Sequence, residues 1–416
     1  MKKIRLAKTV ICLITFFASS AIHAAEEKSV TNALKNGTPY LDMRYRYEFV
    51  DQKSTGASLN EGRASTLRTK LGYKTGEFAG VSALAEVENI VVVGPERYNN
   101  GTKNAKTNYA TVADAPTTLL NQAYFTWKAE PKSKINLGRQ AINLDNQRFV
   151  GSVAWRQNDQ TFDAVAANSE YFKDFTIFYS YANQVNRVFG PGSQANLGRF
   201  RDTNINLINL AYTGFKAGKL TAYEYLLNIP TQVASSSKTS GLRFVGSQKF
   251  DENSSGIYSL EYAKQGNYAN SSRQFNVNYL LVEPGVKYKN FTAKAGYESL
   301  GSNGISAFQT PLATLHIFNG WADKFLTTPA NGLIDMYGSL EYKFSGENCL
   351  KNVATQFAYH DFSSVKQSIG YGTEYNFQIT KEFSKNYNAG LKVARYEAAN
   401  LFTNTTKVIM TLQAKF

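Results

Sequence analysis

The segment YLDMRYRYEFV, residues 40–50, constrains the fold more than any other stretch of this chain. Leu41, Met43, Tyr45, Tyr47 and Phe49 alternate with Asp42, Arg44, Arg46 and Glu48. A strand points successive side chains to opposite sides, so this segment is a ribbon with one apolar face and one fully ionised face. A helix would scatter both sets around its axis. The ionised face has to meet water, and the apolar face has to leave it.

The same pattern returns along the chain. In TLRTKLGYK, Leu67, Thr69, Leu71 and Tyr73 oppose Arg68, Lys70 and Lys74. In DFTIFYSYA, Phe175, Ile177, Tyr179 and Tyr181 oppose Thr176 and Ser180, and in IYSLEYAK, Tyr258, Leu260 and Tyr262 oppose Ser259 and Glu261. KVIMTLQAKF aligns Val408, Met410, Leu412, Ala414 and Phe416 against Lys407, Gln413 and Lys415. Eighteen such segments begin near residues 40, 64, 81, 118, 135, 160, 174, 204, 219, 240, 256, 275, 291, 333, 353, 369, 387 and 406. Sixteen is the alternative count. Each is near the 9–11 residues that cross a bilayer as a tilted strand.

The connections alternate long and short. DQKSTGASLNEGR is followed by TGEFAG, a long stretch around PERYNNGTKNAKTNYATVADAP by EPKSK, and NRVFGPGSQANLGRFRDT by KAG. SNGISAFQTPLATLHIFNGWADKFLTTPANG is followed by SGENCLKN. Short turns on one side and long loops on the other are the rhythm of a transmembrane β-barrel. Closure leaves no unpaired strand edge in lipid. The expected fold is therefore all-β: one antiparallel transmembrane barrel over residues 40–416, with short periplasmic turns and long extracellular loops.

The N-terminus agrees with export. MKKIRLAK is basic, TVICLITFFASSAI is an apolar run too short for a spanning helix, and HAAEE supplies small residues. This is the layout of a secretory signal peptide, expected over residues 1–24 with cleavage after Ala24. Residues 25–39 are expected as a periplasmic lead-in. Four of the 46 basic residues leave with the signal, so 42 face 32 acids, a formal +10. Cys12 and His23 leave too, so Cys349 has no disulfide partner within the chain and only His316 and His360 remain. That is thin equipment for metal binding or acid–base catalysis. His360 has Asp361 and Ser363 nearby in FAYHDFSS, but chain neighbours on a strand point apart and form no triad. Neither an enzyme, a cofactor nor a metal is expected. With 26 Tyr and 27 Phe and a mean hydropathy of −0.35, the composition suits a barrel whose aromatics face the membrane boundary. The positive charge is expected to face a lumen or the surface, with no nucleic-acid partner.

Several stretches resemble the alginate export family of bacterial outer-membrane porins: LDMRYRYEFVD, ASTLRTKLGYKTGEFAGVSALAEVEN, LGRQAINLDNQRFVGSVAWRQNDQTFDAV and AFQTPLATLHIFNGWADKFLTTPANGL. The resemblance implies an eighteen-strand monomeric barrel with an electropositive lumen, inward arginines that attract an anionic sugar-acid polymer, and loops that partly close the ends.

Three groups of residues are candidates for the site. Arg44, Arg46, Arg68, Lys70 and Arg243 fall on the inward face as a selectivity surface, or they only pair with Asp42, Glu48, Glu86 and Glu88; Glu224 joins them as pore-lining. Arg139, Arg148 and Arg156, with Asp145 and Asp163, are expected at an inward-folded constriction that doubles as a loop anchor. His316, Trp321, Asp323 and Lys324 are expected to cap the pore from the long loop, or to form that loop's own local core. The function expected is passive diffusion of anionic solutes, or of an alginate-like polysaccharide, across the outer membrane of a Gram-negative cell. A weakly selective porin and a barrel acting as adhesin or envelope scaffold are the alternatives. Outer-membrane lipid, lipopolysaccharide and the barrel assembly machinery are the expected partners.

Overall fold

The computed structural model describes residues 29–52, 59–94, 96–102, 104–193 and 197–416; the expected signal peptide lies outside the described residues. A short helix, α1 (Val30–Lys35), opens them, with Ser29 Oγ accepting from Asn32 N. It rests on the first short turn, where Gly76 N donates to Ala33 O (2.8 Å).

Eighteen strands follow. They are β1 (Thr38–Gln52), β2 (Gly62–Lys74), β3 (Val81–Val92), β4 (Thr117–Glu130), β5 (Ser133–Gln140) and β6 (Thr161–Ser169). Next come β7 (Phe175–Asn186), β8 (Asn204–Phe215), β9 (Gly218–Asn228), β10 (Ser237–Lys249), β11 (Ser254–Asn267) and β12 (Asn276–Tyr288). The last are β13 (Phe291–Leu300), β14 (Leu333–Lys343), β15 (Val353–Ser363), β16 (Gly370–Glu382), β17 (Tyr387–Ala398) and β18 (Thr405–Lys415). A two-residue stretch, Arg199–Phe200, pairs with the end of β7 ahead of β8. Each strand starts within three residues of its expected position.

Every strand pairs antiparallel with its chain neighbour, and β1 pairs with β18 from Asp42↔Lys415 to Gln52↔Thr405. The sheet is closed. Eight turns of two to nine residues join the strands at one end, and nine connections of six to 32 residues join them at the other. The outer face carries apolar side chains with nothing over them, among them Leu71, Phe125, Leu137 and Met336.

The core is not between two layers but inside the barrel. Connections 141–160 and 301–332 fold inward from the long-loop end and pack against the inner wall. Phe149 lies 5.3 Å from Tyr223, 5.4 Å from Tyr279 and 5.8 Å from Phe308, centroid to centroid. Phe325 lies 4.4 Å from Phe362. Aromatic rings on the lumen side of a barrel have to be covered, and these loops cover them.

Candidate functional site

The two inward loops form one body. Gly151 N donates to Leu312 O (2.9 Å), as does Gln160 Nε2 (2.9 Å), and Thr314 N donates to Gln147 O (3.1 Å). Position 151 has to be glycine, because a Cβ there would stand 2.3 Å from Thr314 Oγ1.

Arginines fasten this body to the wall. From β1, Arg44 donates to Gln157 Oε1 (3.0 Å) and to the carbonyls of Ala154 (2.9 Å) and Arg156, while Arg46 donates to Trp155 O (2.6 Å). From the loop, Arg148 donates to Glu298 Oε1 (2.7 Å) on β13 and to Asn319 Oδ1 (3.0 Å). Arg156 reaches Glu48 (2.8 Å) and Asp323 (3.2 Å), and Lys407 of β18 donates to Asp323 (2.5 Å). Lys70 of β2 is bonded to Asp159 and stands 3.3 Å from Glu88 and 3.8 Å from Glu86. Each buried ion has an opposite charge or hydrogen bonds around it, as burial demands.

Trp155 sits where these fastenings meet. Its ring stacks on His316 (3.4 Å between centroids), with the guanidinium carbons of Arg156 and Arg46 at 4.1 and 4.7 Å. His316 Nδ1 meets Asp323 Oδ1 at 2.8 Å, and Lys392 Nζ lies 3.3 Å from His316 Nε2. Burial, opposed by Asp323, pushes the His316 imidazole down to about 3. Burial would raise Asp323, but Lys407, His316 and Arg156 outweigh it and hold its carboxyl well below the usual range.

Two chambers open beside these fastenings on the short-turn side. One, about 360 Å³, is lined by Arg44, Arg46, Trp155, Lys381 and Lys392, with Glu382 as its acid. The other, about 240 Å³, is lined by Glu283, Glu298, Asp335 and Glu341 against Lys294 and His360, with Trp321 and Phe318 above. The lumen is therefore basic on one side and acidic on the other. His360 Nδ1 is held by Asp335 (2.9 Å), and Asp361 points to the opposite face of the strand. Among the described residues, no group of three or more His, Cys, Asp and Glu is arranged to hold a metal ion.

A family profile described as alginate export matches residues 40–274, more than half the chain. The chain belongs to the alginate export family. No curated protein matches it in sequence. Solved structures share its fold: OccAB1 of Acinetobacter baumannii (TM-score 0.73, 11% identity, covering 95% of this chain and 99% of that one) and OccAB2 of the same organism (0.71, 16%, 92% and 99%). The outer membrane protein opdK of Pseudomonas aeruginosa is similar (0.70, 13%, 92% and 99%).

In this alginate export family member, Arg44, Arg46, Arg68, Lys70, Glu86, Glu88 and Arg243 turn inward and are largely buried. Arg68 pairs with Asp42 (2.9 Å) and Arg243 with Glu261 (2.5 Å). Asp145 accepts from Asn209 (2.8 Å) and stands 3.5 Å from Lys219, on the far side of the lumen from Arg44. His316, Trp321 and Asp323 lie inside the barrel, part of the loop core rather than a cap over its mouth; Lys324, half-buried beside them, lies 5.9 Å from the rings of Tyr396 and Phe402.

Three expectations are corrected. Arg139 and Asp163 do not face the channel: they pair across β5 and β6 on the face of exposed Leu137, whereas their neighbours Gln140 and Phe162 are the buried, inward ones. The inward turn of the chain starts only after Gln140. Glu224 also points outward, because Tyr223 and Tyr225 take the inward positions of β9, and Tyr223 packs on Phe149. Where a loop makes the interior apolar, the inward positions turn aromatic and a lone charge such as Glu224 no longer marks the lumen face.

Sequence reasoning also missed Asp114, Trp155, Glu298, Asp335 and Lys392, and it set Lys407 on the polar face of the last strand without assigning it to the site. Lys407 and Asp335 are placed inward by strand alternation, so a stricter reading of period two reaches them. Asp114 sits in a long connection with no period, and its bond from Gln157 N (3.1 Å) and its approach to Arg46 (3.7 Å) are what reveal it.

Proposed function

We propose that this protein is a passive outer-membrane channel that favours small carboxylate-bearing solutes. The observation that carries the reading is the basic chamber under the constriction. Arg44 and Arg46 spend their hydrogen bonds largely on loop carbonyls and an amide, which satisfy donors without cancelling charge, and the nearest carboxylate to Arg46 stands 3.7 Å away at Asp114. With Lys381 and Lys392 on the same wall, the field in that chamber stays positive and concentrates anions. A chamber of about 360 Å³ suits a sugar acid or an aromatic acid better than a long polymer. A relative in fold, OpdK of Pseudomonas aeruginosa, has been solved with vanillate, itself a small carboxylate. The barrel architecture and the family membership support the outer-membrane location, and the route requires neither catalysis nor a cofactor.

The acidic chamber beside Glu283 and Asp335 favours a second reading, a weakly selective channel in which the two walls offset one another. A planar bilayer with a salt gradient separates them. The expected reversal potential shows anion preference, and Arg46→Gln with Lys392→Gln moves it toward zero. Cation preference in the parent protein would sink the anion reading, and well-folded protein without conductance would sink the channel itself.

A further inference from the structure

The outer face at the long-loop end of β5–β8 carries arginines that a channel does not use. The Arg139 guanidinium makes a paired bond to Asp163 (2.7 and 2.9 Å), and Gln184 and Asn186 donate to the same carboxylate (2.9 and 3.1 Å). Those four bonds fill the acceptor sites of Asp163. Arg199 pairs in register with Asn186 on this outer face, since the adjacent pair Phe200 and Val185 is fully buried inward. It lies within electrostatic reach of Arg139, Arg201 and Asp163, and its Nε is buried with no hydrogen-bond partner. Three guanidiniums thus share one saturated carboxylate.

The height of the cluster matters as much as its charge. On the same face, Ile177 and Leu137 are exposed apolar side chains followed by Tyr179 and Tyr181, and the polar residues begin directly above them. Apolar side chains ending in tyrosines mark where hydrocarbon gives way to headgroups. Further round this rim Lys238 and Lys264 stand on the outward faces of β10 and β11, with Glu224 as the nearby acid, 3.3 Å from Lys238. Elsewhere on the outer face, on β2 and β17, arginines come as balanced pairs, Arg63 with Glu61 (2.7 Å) and Arg395 with Glu397 (3.8 Å).

We propose that this rim binds the phosphate groups of a phosphorylated glycolipid of the outer leaflet, with Arg139, Arg199 and Arg201 as the primary site. The proposal rests on the reading of the chain as an outer-membrane barrel with its long loops outside. A phosphate offers three acceptor oxygens and bidentate geometry to several guanidiniums at once, and its charge matches the surplus of the cluster. A glycolipid fits better than free phosphate, because acyl chains below the headgroup cover the exposed side chains of Leu137 and Ile177.

The test uses the full mature barrel refolded in detergent and titrated with bisphosphorylated lipid A, followed by native mass spectrometry. Binding is expected for bisphosphorylated lipid A, weaker binding for the dephosphorylated form, and none for inorganic phosphate at the same concentration. Arg199→Gln with Arg201→Gln lowers the affinity about tenfold, and Arg395→Gln leaves it unchanged. The proposal is overturned if the double variant binds like the parent, if dephosphorylation has no effect, or if inorganic phosphate binds as well as the lipid. Should the double variant fail to fold, Arg201→Gln alone, exposed and outside the strand ladder, still has to weaken binding about threefold. Conductance measured on the same preparations keeps the two readings apart. Lost binding with conductance intact supports the rim site, and lipid binding without conductance in any sample rejects the channel while leaving the rim.

Discussion

His316 shows how one side chain ties the loops to the pH of the medium. Its ring stacks on Trp155 as a neutral imidazole, because burial pushes it down to about 3. In the unfolded chain a histidine takes up its proton near 6.5. Between those values the unfolded state binds more protons than the folded one, so stability falls as pH drops from about 6.5 toward 3. The thermal unfolding midpoint in detergent is expected to fall between pH 7 and pH 4, and to fall less in His316→Gln. Equal drops in both proteins would show that His316 is not the source. At this scale the inward charges of β1 and β2 were legible, since Arg44, Arg46, Arg68 and Lys70 alternate with side chains that have to meet lipid. Glu224 was not, because its orientation is decided by Phe149, some 75 residues earlier in the chain, packing against Tyr223.

Among the elements, the connection 141–160 is tied to β13 by Arg148, which donates to Glu298 Oε1 (2.7 Å). Arg148 is 1% exposed and Glu298 3%, so neither has water to fall back on. Removing one partner of a buried pair costs about 3–5 kcal/mol. Arg148→Met is expected to loosen the loop without opening the wall, giving larger and noisier single-channel currents than the parent, and Glu298→Gln added to it should restore quieter ones. Traces indistinguishable from the parent would mean that the loop is held elsewhere. The strands were readable because period two is a local property, complete within each ten-residue window. The inward path of the loops was readable only as a possibility. It is set by contacts such as Arg148 with Glu298 and Gly151 with Leu312, which join residues about 150 positions apart and leave no periodic trace.

For the whole molecule, everything depends on the seam between β1 and β18. Thr411 lies in the middle of it, opposite Arg46 on one side and Gly390 on the other. A proline there removes a ladder donor inside a strand paired on both edges. Thr411→Pro is expected to abolish the compact, faster-migrating species seen for folded barrels in unheated gel electrophoresis; its survival would show that closure tolerates a broken seam. The closed wall also has unequal flanks. On β3 the outward apolar side chains run from Val81 to Val87 before Asn89, while on β11 they run only from Tyr258 to Tyr262 before Lys264. At about 3.3 Å per residue those stretches measure roughly 20 and roughly 13 Å along the strands. A bilayer has one resting thickness, and matching it to both flanks costs a fraction of a kcal/mol per ångström of mismatch. The barrel therefore leans in the membrane or pinches it beside β11, and lipids on that side are the ones held under elastic load.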